Sequence, residues 1–450
     1  MSIPRSGTSQ YIRFLIEDGC HNSVAALAQA VAGLSQNNQT VSLSGNHSAA
    51  TKPFWDGYTY CQGRIIQPGK TWHPMKDAEL IKLQVMHRHG ARSPAAGKVP
   101  GDNTEWYQCG NPDEFMFMNQ GDMVDGERSP SMKEESTLDG AFSYVLWKGN
   151  CDAGQLTALG SHRMEYVGQV LRQVYVDILH FLPQWMESTF QISHTYIWRT
   201  RESVENLMTG LYPLQYRAPG QTLTMHVKPS LVETKIGNTA ACPKLAAIMS
   251  SYTNSSEYAA TLAPYTELQK KIVAAYNTTS IKGFNTTQGL YDTASAAYCH
   301  GLGLKGNLTA ADIQTLTIPG TSAYHNVFRS NLNATEAKTL AVGPWLEEII
   351  ASFSDRSTKL QIYSAHDASL DMFLSVVADP DLPWPPFSSS VEIELWQHRQ
   401  KGNLVRMYYE GMVVPAHPGL NCTFDGCPLE TVQNFMKRYI PADLASACKV

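Results

Sequence analysis

The chain has 450 residues, more than one hydrophobic core usually covers, so either two domains or one large core with a substantial inserted cap is expected. Hydrophobic residues make up 43% and charged residues 17%, a globular balance that excludes disordered, collagen-like and coiled-coil chains. Lys and Arg number 35 against 40 Asp and Glu, a net charge of -5 with no run of five like charges. That counts against a nucleic-acid partner, because affinity for a phosphate backbone needs a concentrated basic surface.

Residues 1–75 read as a leader and an extended arm, with Ser, Asn, Gly and Thr clusters and little periodicity. Within them the apolar run 24–34 (VAALAQAVAGL) has the length of a signal-peptide core, although acidic Glu17 and Asp18 precede it. From Ile81 the pattern changes: Ile81, Leu83 and Val85 alternate with Lys82 and Gln84, predicting a half-buried strand that runs into His87, Arg88, His89 and Gly90. Val167, Leu171, Val174, Ile178 and Phe181 predict an amphipathic helix stopped by Pro183. A second strand at 190–197 leads to Arg199, with a helix at 202–209 closed by Gly210 and Pro213. Residues 226–340 show short helical stretches, such as 264–275 starting on Pro264, and no strand alternation. A third strand at 359–363 precedes Ser364-Ala365-His366-Asp367 and a helix carrying Leu370, Phe373, Leu374 and Val377 on one face. Val391, Ile393 and Leu395, then 404–414, flank Gln400-Lys401-Gly402-Asn403 as an antiparallel hairpin.

Three strand-loop-helix units predict a doubly wound α/β fold, a mostly parallel sheet with helices on both faces. The core is expected to comprise 76–225 and 341–450, with 226–340 as an inserted, mostly helical cap. No stretch reaches the 18 or more apolar residues of a membrane span. Eight Asn-x-Ser/Thr sequons, at Asn38, Asn46, Asn254, Asn277, Asn285, Asn307, Asn333 and Asn421, read as surface loops of a secreted or secretory-pathway glycoprotein. The nine cysteines contain no C-x-x-C pair and favour disulfides over zinc, with Cys20 the candidate for an unpaired thiol.

The chemistry concentrates in Arg88-His89-Gly90-Ala91-Arg92-Ser93-Pro94. Two guanidiniums and an imidazole on a glycine turn after a strand suit a tetrahedral oxyanion: arginine offers forked donors, and glycine lets backbone approach closely. His87-x-His89 also has the form of a metal-ligand pair, but two adjacent arginines would repel a dication. Residues 63–71 (GRIIQPGKT) imitate a phosphate-binding loop with the wrong spacing, and no G-x-S-x-G is present for a serine hydrolase.

The R-H-G-x-R-x-P pattern resembles the signature of the histidine acid phosphatases, the branch 2 histidine phosphatases. Distant segments extend the likeness: Arg199 before a helix ending in Gly210-Leu211-Tyr212-Pro213, the His366-Asp367 pair, Gly154-Gln155-Leu156-Thr157, and Cys427-Pro428-Leu429. It covers about residues 80–215 and 345–450. Leu395-Trp396-Gln397, the Cys151 to Thr157 element and Cys448 look most like the branch containing the 2-phosphoxylose phosphatase. Where many members have an arginine six residues before the Arg199 equivalent, this chain has Ser193, followed by His194 and Thr195.

The resemblance implies a phosphoglycerate-mutase-like core and an acid phosphatase that hydrolyses phosphate monoesters. In that mechanism Arg88, Arg92, Arg199 and His366 bind the phosphate, His89 becomes a phosphohistidine and Asp367 donates the proton. No metal or cofactor is implied, and the substrate is a phosphorylated small molecule or glycan. Phytase or inositol-polyphosphate phosphatase activity, and a catalytically silent phosphate-binding relative, are the competing expectations. Basic residues lining the cap would favour the former. The sequence carries no signal for oligomeric state.

Overall fold

The computed structural model describes residues 47–109, 140–279 and 286–450, with the backbone of Met123–Val124 and Glu127–Arg128. The apolar run 24–34, Cys20 and the sequons at Asn38, Asn46 and Asn285 lie outside the described residues. In chain order the elements used below are β1 (Ala78–Arg88), α1 (Ala158–Arg172), β2 (Gln191–His194), α2 (Trp198–Leu211) and β3 (Met225–Val227). Six helices follow: α3 (Pro243–Thr253), α4 (Ser256–Leu262), α5 (Thr266–Tyr276), α6 (Thr286–Cys299), α7 (Ala310–His325) and α8 (Ala334–Ala341). The chain then forms α9 (Gly343–Ser354), β4 (Leu360–Ala365), α10 (Asp367–Val377), β5 (Ser390–His398), β6 (Gly402–Tyr409), β7 (Met412–Val413), β8 (Cys427–Pro428) and α11 (Leu429–Lys437).

The sheet runs β8-β6-β5-β1-β4-β2-β3, with β7 paired to β6. Strands β1, β4, β2 and β3 are mutually parallel. The hairpin β5-β6 adds an antiparallel half on the other side of β1, so the sheet is mixed and the parallel character expected of it belongs to the half that carries the βα loops. Helices cover both faces. Leu83, Val85, Ile192 and Ile362 pack under α1 and α2 through Val167, Leu171, Val204 and Leu207. On the opposite face Met86, Ile393 and Leu395 meet Trp345, Ile349, Leu370 and Phe373 of α9 and α10.

Burial on both faces corrects the half-buried reading of β1. Lys82, 1% exposed, sits inside because its Nζ donates to the Asp355 and Thr358 carbonyl oxygens, both at 2.9 Å. Helix α1 starts nine residues before Val167, capped by the Thr157 hydroxyl on the Gly160 N–H, and widens into π turns over Gln173–Ile178. Helix α2 starts at Trp198, so Arg199 lies in its first turn instead of ahead of it. Gly210 lies inside α2 and is no stop signal: a Cβ there would stand 1.9 Å from the Glu165 carbonyl oxygen, and one on Gly168 1.9 Å from that of Leu207. The two helices therefore cross backbone to backbone, which fixes where α2 delivers Arg199.

Four disulfides join Cys61–Cys299, Cys109–Cys151, Cys242–Cys448 and Cys422–Cys427. No helix among the described residues is long and apolar enough to cross a membrane. The sequons at Asn254, Asn277, Asn307, Asn333 and Asn421 are all exposed.

Strand β5 buries two glutamates that its alternation would put outside. Glu394 is fully satisfied: Trp72 Nε1 and Tyr175 OH donate to Oε1, and Trp396 Nε1 and Arg406 Nε to Oε2. Among the described residues Glu392, 0% exposed, receives only the Ser390 hydroxyl, and its other oxygen has no partner. Burial, with Glu394 and Glu410 nearby, pushes its pKa up to about 8. The folded state therefore holds this proton more tightly than the unfolded chain, and the stabilisation is present below the ordinary glutamate range and lost as pH rises through about 8. Glu392→Gln is expected to shrink the fall in melting temperature between pH 5 and pH 8; an undiminished fall in the variant would refute the assignment.

Candidate active site

Parallel pairing puts the carboxyl ends of β1, β4 and β2 side by side: Arg88 is in register with Ala365, and Ser364 with His194. The next residues of each chain segment, His89, His366 with Asp367, and Thr195, thus emerge at one edge, where ligands bind in open α/β sheets. Main-chain bonds lock them there, His89 N–H to the Ala365 carbonyl (3.1 Å) and Thr195 N–H to the Ser364 carbonyl (3.2 Å). Helices α2 and α10 begin at this edge and bring Arg199 and Asp367 in their first turns.

The loop after β1 is held by the segment before α1. Ser93 N–H bonds the Gln155 carbonyl, Gly154 N–H bonds that of Pro94, and Thr157 donates backbone N–H and hydroxyl to the Ala91 carbonyl. This packing requires Gly90: a Cβ would lie 2.5 Å from the Gly160 carbonyl oxygen, and its φ is not left-handed. Gly154, at φ 70°, turns its carbonyl to accept from Arg199 Nη1 at 3.3 Å. The Gly-x-Leu-Thr element is therefore the strap that ties the arginine loop to α1 and aims Arg199.

Arg88 is completely buried. Its guanidinium donates to the Pro385 carbonyl (2.7 Å) and Tyr60 OH (2.7 Å), meets Asp367 Oδ2 at 2.9 Å, and lies 4.1 Å from the Phe387 ring centre. Arg92 Nη2 pairs with Asp292 Oδ1 of α6 at 2.8 Å, while Asp292 Oδ2 accepts the Ala95 N–H. Burial opposes the charge on Arg92, but Asp292, Tyr60 and Asp367 together outweigh it and raise its pKa. Among the described residues Arg199 has no such carboxylate partner; burial, with Arg92 close by, lowers its pKa to about 9. Three guanidiniums against the Asp292 and Asp367 carboxylates leave the edge short of negative charge, as an anion site requires.

His89 is 1% exposed, with its ring 5.5 Å from that of His366 in edge-to-face contact. Its Nδ1 is 2.8 Å from the Gly90 carbonyl oxygen, an acceptor only, so Nδ1 carries the hydrogen and Nε2 the lone pair of a neutral ring. Burial, then the charges of Arg199, Arg88 and Arg92, hold its pKa well below the usual histidine range. His366 is lowered by the same causes, and its Nε2 lies 2.9 Å from Thr195 Oγ1. Thr195 thus links β2 to β4 at the position where an arginine context was expected; Ser193 instead bonds the Ile362 carbonyl. His87 is buried with Nδ1 on the Arg88 carbonyl. Among the described residues no group of three His, Cys, Asp or Glu side chains could hold a metal ion.

A cavity of about 320 Å3 opens at this edge, lined by Arg92, Arg199, His366 and Asp367 together with Tyr60, Tyr291, Tyr324 and Trp384. Arg88 and His89 lie one layer further in, touching the lining residues Tyr60, Asp367 and His366. A roomier groove, lined by Glu79, Leu80, Lys359 and Trp396, lies at the opposite ends of β1 and β4, remote from these groups. All six residues singled out in the sequence are brought together. Tyr60, Asp292 and Trp384, whose Nε1 donates to Asp367 Oδ2 at 3.4 Å, carried no motif. The one signal for the first two was cysteine: Cys61 follows Tyr60, and its partner Cys299 stands two turns after Asp292 on α6.

Fold and cleft define an α/β enzyme that gathers arginines and neutral histidines at the carboxyl edge of a sheet, the chemistry of a phosphate-ester site. The profile of the histidine phosphatase superfamily (branch 2) matches residues 79–410, more than half of the chain, and the chain belongs to that family. Human lysophosphatidic acid phosphatase type 6 is 30% identical, over 81% of this chain and 85% of its own. Counting factor 60 of Dictyostelium discoideum is 25% identical over 91% and 95%, and a probable acid phosphatase of Schizosaccharomyces pombe 26% over 72% and 73%. The apo phytase of Hafnia alvei has the same fold, with a TM-score of 0.54 at 14% identity over 84% of this chain and 100% of that one. The enzyme is a phosphomonoester hydrolase of the histidine acid phosphatase kind. These relatives lend no support to the 2-phosphoxylose branch.

Proposed function

We propose that this acid phosphatase works through a phosphohistidine on His89, with Asp367 as proton donor. The observation that carries the reading is the neutral His89 ring, pinned through Nδ1 to the Gly90 carbonyl amid three arginines. Arg88, Arg92, Arg199 and His366 hold the phosphate oxygens and stabilise the charge that spreads over them during transfer. The Nε2 lone pair forms a P–N bond as the P–O bond to the leaving group breaks, and Asp367 delivers a proton to the departing alkoxide. Water then attacks phosphorus, the P–N bond breaks, and the Asp367 carboxylate takes the water's proton.

The presence of all six groups supports turnover over a silent binding module. The region 226–340 serves as the cap, contributing Asp292 and one wall of the cavity. Among the described residues the cap's share of the lining includes no lysine or arginine, which speaks against an inositol polyphosphate. Four disulfides and five exposed sequons support a secretory or lumenal setting. The test is p-nitrophenyl phosphate hydrolysis from pH 3 to pH 8 in excess chelator. Chelator-resistant activity peaking on the acid side is expected; no turnover by folded protein at any pH would overturn the reading.

Asp292→Asn keeps an acceptor for Ala95 N–H but removes the charge that orients Arg92. It is expected to lower kcat/KM by about 10- to 100-fold, mainly through KM, since small misplacements of a binding group are that costly. A change under about twofold, with circular dichroism intact, would make Arg92 independent of its partner.

A further inference from the structure

We infer that the cavity selects phosphate monoesters with an uncharged, apolar leaving group, whose tail leaves the site between Ile197 and Ile236 onto an exposed apolar patch. The inference rests on the phosphatase reading above and adds the substrate class. It begins with charge. The cavity's cations are Arg92, Arg199 and, when protonated, His366, all committed to one phosphate, and Arg92 is already paired with Asp292. Among the described residues no cation in the lining is left for a second phosphate, while Asp292 would repel one. Beyond the phosphate position the walls are Tyr60, Tyr291, Tyr324, Trp384, Ile197 and Ile236, surfaces that gain by covering apolar atoms.

Two of the lining residues, Ile197 and Ile236, belong to the connections that leave neighbouring strand ends. His194 at the end of β2 is in register with Val227 at the end of β3. After β2 come Tyr196 and Trp198, 45% and 46% exposed, on either side of the lining residue Ile197. After β3 come Leu231 and Val232, 65% and 60% exposed, four to five residues before the lining residue Ile236. Asn238 Nδ2 holds this second turn by donating to the Ser230 and Glu233 carbonyls. Val227 is itself 52% exposed. Five large apolar side chains standing in solvent at the two connections that feed the cavity wall form a path for a chain longer than the cavity can enclose.

The test uses the full chain and a series of ethyl, butyl, hexyl and octyl phosphate below their micellar concentrations, with myo-inositol hexakisphosphate as the polyanionic comparison. Burial of each added methylene is expected to raise kcat/KM by up to about fourfold, and the series as a whole by about tenfold or more. Octyl phosphate should be preferred to the inositol ester. Ile236→Asp is expected to lower the octyl-to-ethyl ratio of kcat/KM, and Trp198→Ser, at an exposed position, to lower it as well. A flat series, or preference for the inositol ester, with ethyl phosphate still turned over, would overturn the inference and leave the phosphatase reading standing. Failure of every ester would overturn both.

Discussion

His89→Ala is expected to lower steady-state hydrolysis of p-nitrophenyl phosphate by about 10^4-fold or more, because removing a covalent nucleophile leaves only binding and charge stabilisation. The variant deletes the ring whose free nitrogen is set by the Gly90 carbonyl amid the arginines, while Arg88, Arg92 and Arg199 keep their own partners in the protein. Phosphate binding should survive, so inorganic phosphate would still raise the melting temperature. Covalent chemistry is read separately. Wild-type protein mixed with labelled substrate and quenched in alkali should retain label on His89, since a phosphoramidate is labile in acid and persists in base, and the variant should retain none. Because His89 is buried, His89→Asn serves as a second variant that fills more of the space. Residual activity in both variants within about tenfold of wild type would remove His89 from the mechanism.

The parts of the site that were legible in the sequence are those the chain repeats as strand, loop and helix. Arg88, His89, Arg199, His366 and Asp367 each follow a predicted strand, and parallel pairing does the rest by setting Arg88 against Ala365 and Ser364 against His194. Alternation misjudged β1 and β5, because it assumes that a polar side chain marks the wet face. Lys82 and Glu394 are buried because they bond groups such as the Asp355 and Thr358 carbonyls and Trp72 and Tyr175, far away in sequence, which no local pattern encodes. Gly210 looked like a helix end because glycine ends many helices; here the demand comes from α1, forty residues earlier. Asp292 was illegible for a related reason. Its helix has no motif, and its role arises only where α6 is laid over the Arg92 loop, a contact whose sequence trace is a cysteine at each end.

Asp367→Asn should separate the two chemical steps. An asparagine keeps an acceptor for the Ala368 N–H at the start of α10. It offers no proton that can be transferred. An alkyl phosphate, whose alkoxide cannot leave unprotonated, is therefore expected to lose about 10^2- to 10^4-fold in kcat, the usual worth of a positioned acid or base. The p-nitrophenyl ester needs less help, since its phenolate leaves readily, so transfer to His89 should persist. The second step then lacks its base. The result expected is a burst of p-nitrophenolate close to one equivalent of enzyme followed by slow turnover, with phosphohistidine accumulating in the variant. KM should not rise, because losing a carboxylate beside Arg88 leaves the site more attractive to an anion. A residue that merely oriented Arg88 would behave differently: both esters would suffer alike, KM would rise, and no burst would appear.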